Sequence, residues 1–86
     1  MKKIIVGSIE SGDIFIEVVK NKDKKNNIHL ESQFFKQYGN EILSIVKQKF
    51  DEAKLIGFDI NINDQGALQP VIEARCKTII KRIQGK

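Results

Sequence analysis

The chain has no tryptophan and one residue each of tyrosine (Tyr38), cysteine (Cys76), histidine (His29) and proline (Pro70). Each scarcity excludes something. A lone cysteine cannot close an internal disulfide, and one histidine without a cysteine or histidine partner cannot supply the three or four ligands of a metal site. Cys76 falls on an apolar helical stripe, where free cysteine behaves as a small buried hydrophobe, and His29 has no adjacent nucleophile. No catalytic residue and no metal ligand is therefore assigned. The six glycines are isolated from one another, which excludes a glycine-rich phosphate cradle. No apolar run approaches the ~18 residues of a membrane span. Met1-Lys2-Lys3 is followed by only three apolar residues before Gly7, unlike a signal peptide, so the expected compartment is the cytoplasm.

What is present is an ordinary globular balance, 41% apolar and 30% charged residues over 86 positions, enough for one domain spanning 1–86 and not for two cores. The net charge is +4 and the pI about 9.3. The cations are spread over Lys2-Lys3, Lys20 to Lys25, Lys47 to Lys49 and Arg75 to Lys86. With one tyrosine to stack on bases and no nucleic-acid motif, they read as a solvated surface rather than a nucleic-acid face. Lys20, Lys22, Lys24 and Lys25 would nevertheless suit a phosphate-rich group.

Apolar periodicity gives the elements. Ile4–Ile9 and Ile14–Val19 read as two strands, with Ile14, Ile16 and Val18 facing a core. The polar run 21–27 is a connector, and Asn27–Glu31 alternates as a third strand. Ser32 can cap a short turn through Phe34 to Tyr38, Gly39-Asn40 interrupts it, and a helix restarts over Glu41–Lys54 with Gly57 closing it. Phe58–Asn63 alternates strictly, a fourth strand that the preceding helix would bring parallel to the third. Asp64-Gln65-Gly66 is a turn, and Pro70 can begin a helix whose stripe is Ile72, Cys76, Ile79, Ile80 and Ile83. The predicted fold is α+β, a two-layer sandwich of a four-stranded mixed sheet with two helices on one face, in the order βββαβα.

Between the first two strands lies Glu10-Ser11-Gly12-Asp13, which lifts a serine out of the core beside a glycine that crowds nothing and tolerates positive φ. Together with Lys36-Gln37-Tyr38-Gly39, Asp64-Gln65-Gly66-Ala67-Leu68 and Ile72-Glu73-Ala74-Arg75, this segment falls in the order and at about the spacing of the acyl carrier (gamma) subunit of citrate lyase, which the whole chain resembles. In that family the first serine of a Glu-Ser-Ser-Asp segment carries 2'-(5''-triphosphoribosyl)-3'-dephospho-CoA through a phosphodiester, and the matching position is Ser11. Gly12 replaces the second serine, leaving Ser11 the only hydroxyl in the segment. Gln69-Pro70 and Glu73 also depart from the family pattern. The Asp-Ser-Leu of helical, phosphopantetheine-bearing carriers is missing.

The resemblance implies a non-catalytic carrier. Its partners would be the alpha (transferase) and beta (lyase) subunits of citrate lyase, which split citrate to acetate and oxaloacetate, and the transferase that attaches the prosthetic group. Ser11-Gly12-Asp13 also looks like the corresponding segment of the malonate decarboxylase carrier subunit. From another class, a small basic module binding nucleic acid or protein is the alternative. Glu10 and Asp13 are either turn formers or recognition residues for the attaching enzyme, and Arg75 is either a surface ion pair or a docking contact.

Overall fold

The computed structural model of the chain describes residues 3–85. Its elements run β1 (Ile4–Val6), β2 (Ile14–Lys20), β3 (Asn27–Ser32), α1 (Phe35–Glu52), β4 (Phe58–Asp64) and α2 (Gln69–Ile83), the predicted order βββαβα. The four strands form one mixed sheet in the order β1-β2-β4-β3. β1 and β2 are antiparallel, as are β2 and β4, whereas β3 and β4 are parallel neighbours joined through α1.

Register decides which side chains are buried. Ile14, Ile16 and Val18 of β2 lie opposite Asp64, Ile62 and Ile60 of β4, so one face of the sheet collects an aliphatic layer. Phe15, Glu17, Asp59, Asn61 and Asn63 take the other face and stay accessible, as the two-residue period of a strand requires. α1 contributes Ile42, Val46 and Phe50 at four-residue intervals, and α2 contributes Ile72, Cys76 and Ile79. Both stripes close over the same face of the sheet. Each such fully buried aliphatic or aromatic side chain contributes about 1.5–3 kcal/mol relative to exposure. Lys49 and Glu73, 3.6 Å apart, add an ion pair between the two helices.

The elements differ from the sequence reading at four places. β1 stops at Val6 rather than Ile9, because Gly7 has φ +81° and a side chain there would stand 1.9 Å from the Ile14 carbonyl oxygen. The connection to β2 is therefore a seven-residue loop, 7–13. Second, α1 is continuous: Gly39 does not break it but is buried beneath the Phe35 ring, which lies 2.8 Å from where a Cβ would be. Third, Ser32 ends β3 instead of capping α1; its hydroxyl donates to Asp64 Oδ2 and accepts the Phe34 N–H. Fourth, α1 closes before Gly57. Leu55 N–H bonds the Phe50 carbonyl, Lys54 N–H bonds that of Asp51, and Lys54 takes φ +57°, a Schellman closure built on a lysine.

All of this places one end of the sheet together. The start of β2, the C-terminal ends of β3 and β4, and the first turns of α1 and α2 meet there.

Candidate functional site

The 7–13 loop sits at that end, and its geometry starts from Asp13. The carboxylate accepts Arg75 Nε at 3.0 Å and its own neighbour's Ile14 N–H at 2.7 Å on Oδ1. On Oδ2 it accepts Arg75 Nη2 at 2.8 Å and the Ser8 hydroxyl at 2.7 Å. A carboxylate has about four lone-pair sites, and all are taken. The Arg75 guanidinium, then the Ser8 hydroxyl, hold the Asp13 carboxyl down from its ordinary 3.8 to about 2. Asp13 is thus a charged staple between the loop and α2, with no capacity left to accept a proton from a neighbour.

Around this staple the loop is tied by main chain. Ser8 Oγ also accepts the Glu10 N–H at 3.2 Å. Asp13 N–H donates to the Glu10 carbonyl at 3.0 Å, so residues 10–13 form a β-turn whose central pair is Ser11 and Gly12. Gly12 has φ +84°, the requirement of a type II turn at its third position. Gly12 N–H donates to the Gln65 carbonyl at 2.7 Å, and Gln65 N–H returns a bond to the Asp13 carbonyl at 2.9 Å. The turn is held against the segment that follows β4.

Ser11 stands at the tip, exposed, and among the described residues its hydroxyl has no hydrogen-bond partner. A side chain built on Gly12 would meet nothing within 4 Å, so the approach to the hydroxyl is open. The other serines differ. The Ser8 and Ser32 hydroxyls are engaged by carboxylates, and Ser44 lies midway along α1. No base is paired with Ser11, and a serine hydroxyl without one is a weak nucleophile. The loop presents an open, unactivated hydroxyl. A phosphodiester-linked group would fit at this hydroxyl sterically. The first turns of α1 and α2 begin at this end without an acidic residue or a side-chain cap of their own, and the buried Asp64 carboxylate is bonded to Ser32, Gly66 and Ala67 in the segments just before them.

Of the residues the sequence singled out, Ser11, Asp13 and Arg75 are brought together. Glu10 is exposed and contributes its carbonyl to the turn. Lys20 lies at the far end of β2, six residues and about 20 Å from the start of that strand, over the Phe58 ring and bonded to the Ile56 carbonyl. That cluster of cations does not face Ser11. His29 is on the open face of the sheet, Cys76 is buried with its thiol pushed up to about 11 by desolvation, and no cluster of three metal-ligating side chains occurs among the described residues.

Sequence reasoning missed Gly7 and Ser8, which hold the loop; it marked Asp64 and Gln65 as turn residues of the matched pattern, but not that Gln65 pairs with the serine turn or that Asp64 is buried and accepts N–H groups of Gly66 and Ala67 on Oδ1. It also missed an apolar groove of about 390 Å³ between α1 and the 64–68 segment. Its outer signal was legible: Phe34 and Tyr38, four residues apart and both exposed.

Residues 1–83 match the acyl carrier family described as malonate decarboxylase delta subunit (MdcD). A citrate lyase acyl carrier protein of Clostridium perfringens is 36% identical over 81 residues, 94% of this chain and 80% of that protein. One from Albidiferax ferrireducens is 27% identical, covering 99% of this chain and 87% of its own length. Among solved structures, a chain of a Pseudomonas malonate decarboxylase hetero-tetramer in complex with malonate superposes with a TM-score of 0.80 at 21% identity, covering 94% of this chain and 82% of that one. The Staphylococcus aureus RNase P protein superposes at 0.59 with 13% identity, covering 93% and 82%. Both structural likenesses show the fold alone, and a fold shared with an RNase P protein is no guide to activity. The match over nearly the whole chain decides the relationship: the protein belongs to the acyl carrier family of citrate lyase and malonate decarboxylase.

Proposed function

We propose that this carrier serves citrate lyase and bears 2'-(5''-triphosphoribosyl)-3'-dephospho-CoA on Ser11 through a phosphodiester. The observation that carries the reading is the state of Ser11: exposed, without a hydrogen-bond partner among the described residues, and fixed at the tip of a turn that Asp13, Arg75 and Gln65 hold in place. The terminal thiol of such a group holds acetyl or citryl as a thioester. This chain's own contribution is presentation. A rigid base under a flexible arm keeps the acyl end near two partner active sites at an effective concentration on the order of millimolar.

The partners in this reading are the transferase (alpha) and lyase (beta) subunits of a cytoplasmic complex, together with the enzyme that attaches the group. Since all lone pairs of Asp13 are engaged, the base that activates Ser11 during attachment belongs to that enzyme. A second reading is favoured by the family description and by Ser11-Gly12-Asp13: the same anchor serving malonate decarboxylase. Reconstitution separates the two. Loaded carrier mixed with the partner subunits of its own host should restore citrate cleavage, and Ser11→Ala should abolish it. Turnover of malonate instead of citrate would transfer the chain to the second reading, and citrate cleavage supported by Ser11→Ala would remove both.

A further inference from the structure

The groove between the start of α1 and the 64–68 segment takes no part in holding the serine turn. It holds about 390 Å³, within the range of small-molecule sites, and its walls include Phe34, Tyr38, Ile42, Leu68 and Ile72. Tyr38 is 53% and Leu68 73% exposed, an apolar surface that is contiguous rather than scattered. One edge of the Phe34 ring meets Gly66, its Cε2 3.3 Å from where a Cβ would be, and the residue remains exposed at the groove wall. The groove also begins next to the serine turn. Gly66 and Ala67 line it, and Gln65, the residue before them, is bonded through its main chain to Gly12 and Asp13.

We propose that this groove seats the nucleotide base of the arm carried by Ser11, stacked on Phe34 and Tyr38. The proposal rests on the carrier reading above. Charge selects the base from among the parts of the arm. The lining holds the carboxylates Glu41 and Asp64 and no lysine or arginine, and the Asp64 oxygens are occupied by Ser32, Gly66 and Ala67. Phosphates and acyl carboxylates are repelled from such a lining, whereas a flat, neutral heterocycle with amino donors is not. Stacking of a base on aromatic side chains is tolerant of geometry and weak for a free nucleotide, and a tether to Ser11 makes it effective. Seating the base would shorten the free arm and direct its thiol end away from the carrier.

Tyr38 makes the test direct, because it is the only tyrosine and the chain has no tryptophan. Chain shown by intact mass to carry its group should lose most of its tyrosine emission relative to unloaded chain. Its NMR spectrum should show contacts between base protons and the Phe34 and Tyr38 rings. Leu68→Glu, at an exposed position outside the turn, should restore the emission while the mass increment stays. Loaded chain with undiminished emission and no base-to-ring contacts overturns the seat alone, as would be found if the groove receives a partner's side chain. A bare Ser11 in active complex overturns the seat and the carrier reading together.

Discussion

At the scale of single residues, the account turns on how one hydroxyl is kept free while its neighbours are bound. Asp13→Asn removes the ionic half of the staple to Arg75 and should destabilise the chain by about 1–2 kcal/mol, a charge-assisted bidentate pair discounted for the solvent around Arg75. Urea unfolding at pH 7 measures it. Arg75→Lys should recover only part of the loss, since an ammonium cannot match the fork. The Asp13 carboxyl is depressed in the folded state, so the unfolded chain binds the extra proton and this stability rises with pH. It is complete above about pH 4 and disappears as the pH falls through about 2; the gap between parent and Asp13→Asn should close over that window. Gly7→Ala brings a methyl against the Ile14 carbonyl at positive φ, and a loss on the order of 3 kcal/mol or more is expected. Asp13 and Arg75 stand 62 residues apart in sequence. Sequence reading could pick out each of them, but not their pairing, because nothing local in a sequence encodes which distant cation a carboxylate will meet.

The elements were legible in proportion to how strictly their apolar residues repeat. β2, β4 and α2 follow from alternation and a helical stripe, and the structure puts them where those periods do. The departures arise where a residue with a strong local preference serves a tertiary contact instead. Gly39 would interrupt an isolated helix, yet in α1 it is the floor under Phe35. Ser32 has the chemistry of a helix cap, yet its hydroxyl is taken by Asp64 across the β3–β4 pair. The end of α1 was misplaced because a lysine, not a glycine, adopts the left-handed conformation there. This makes a prediction at the scale of the helix: Lys54→Gly should stabilise the chain by about 1 kcal/mol by removing the left-handed penalty, seen as a raised urea midpoint with unchanged slope. A neutral or destabilising result would mean that the Schellman closure of α1 is not formed as described.

At the scale of the whole molecule, the fold separates a buried thiol from an exposed hydroxyl. Cys76 is fully buried and its thiol is pushed up to about 11, so in native, unloaded chain it should resist alkylation at pH 8 and react only on global unfolding. Loaded chain should then present one fast-reacting thiol, that of the arm, against one protected thiol. The turn that exposes Ser11 was legible in the sequence because Ser-Gly-Asp turn chemistry is local. The groove was out of reach, since its walls come from α1, α2 and the segment between β4 and α2. The most direct measurement of the central claim is peptide mapping of the carrier taken from active complex. Cleavage after Glu10 and Glu17 separates Ser11 from Ser8 and isolates the fragment 11–17. The account predicts that this fragment alone carries the mass of the prosthetic group; an unmodified 11–17 fragment from complex that turns over its substrate would contradict it.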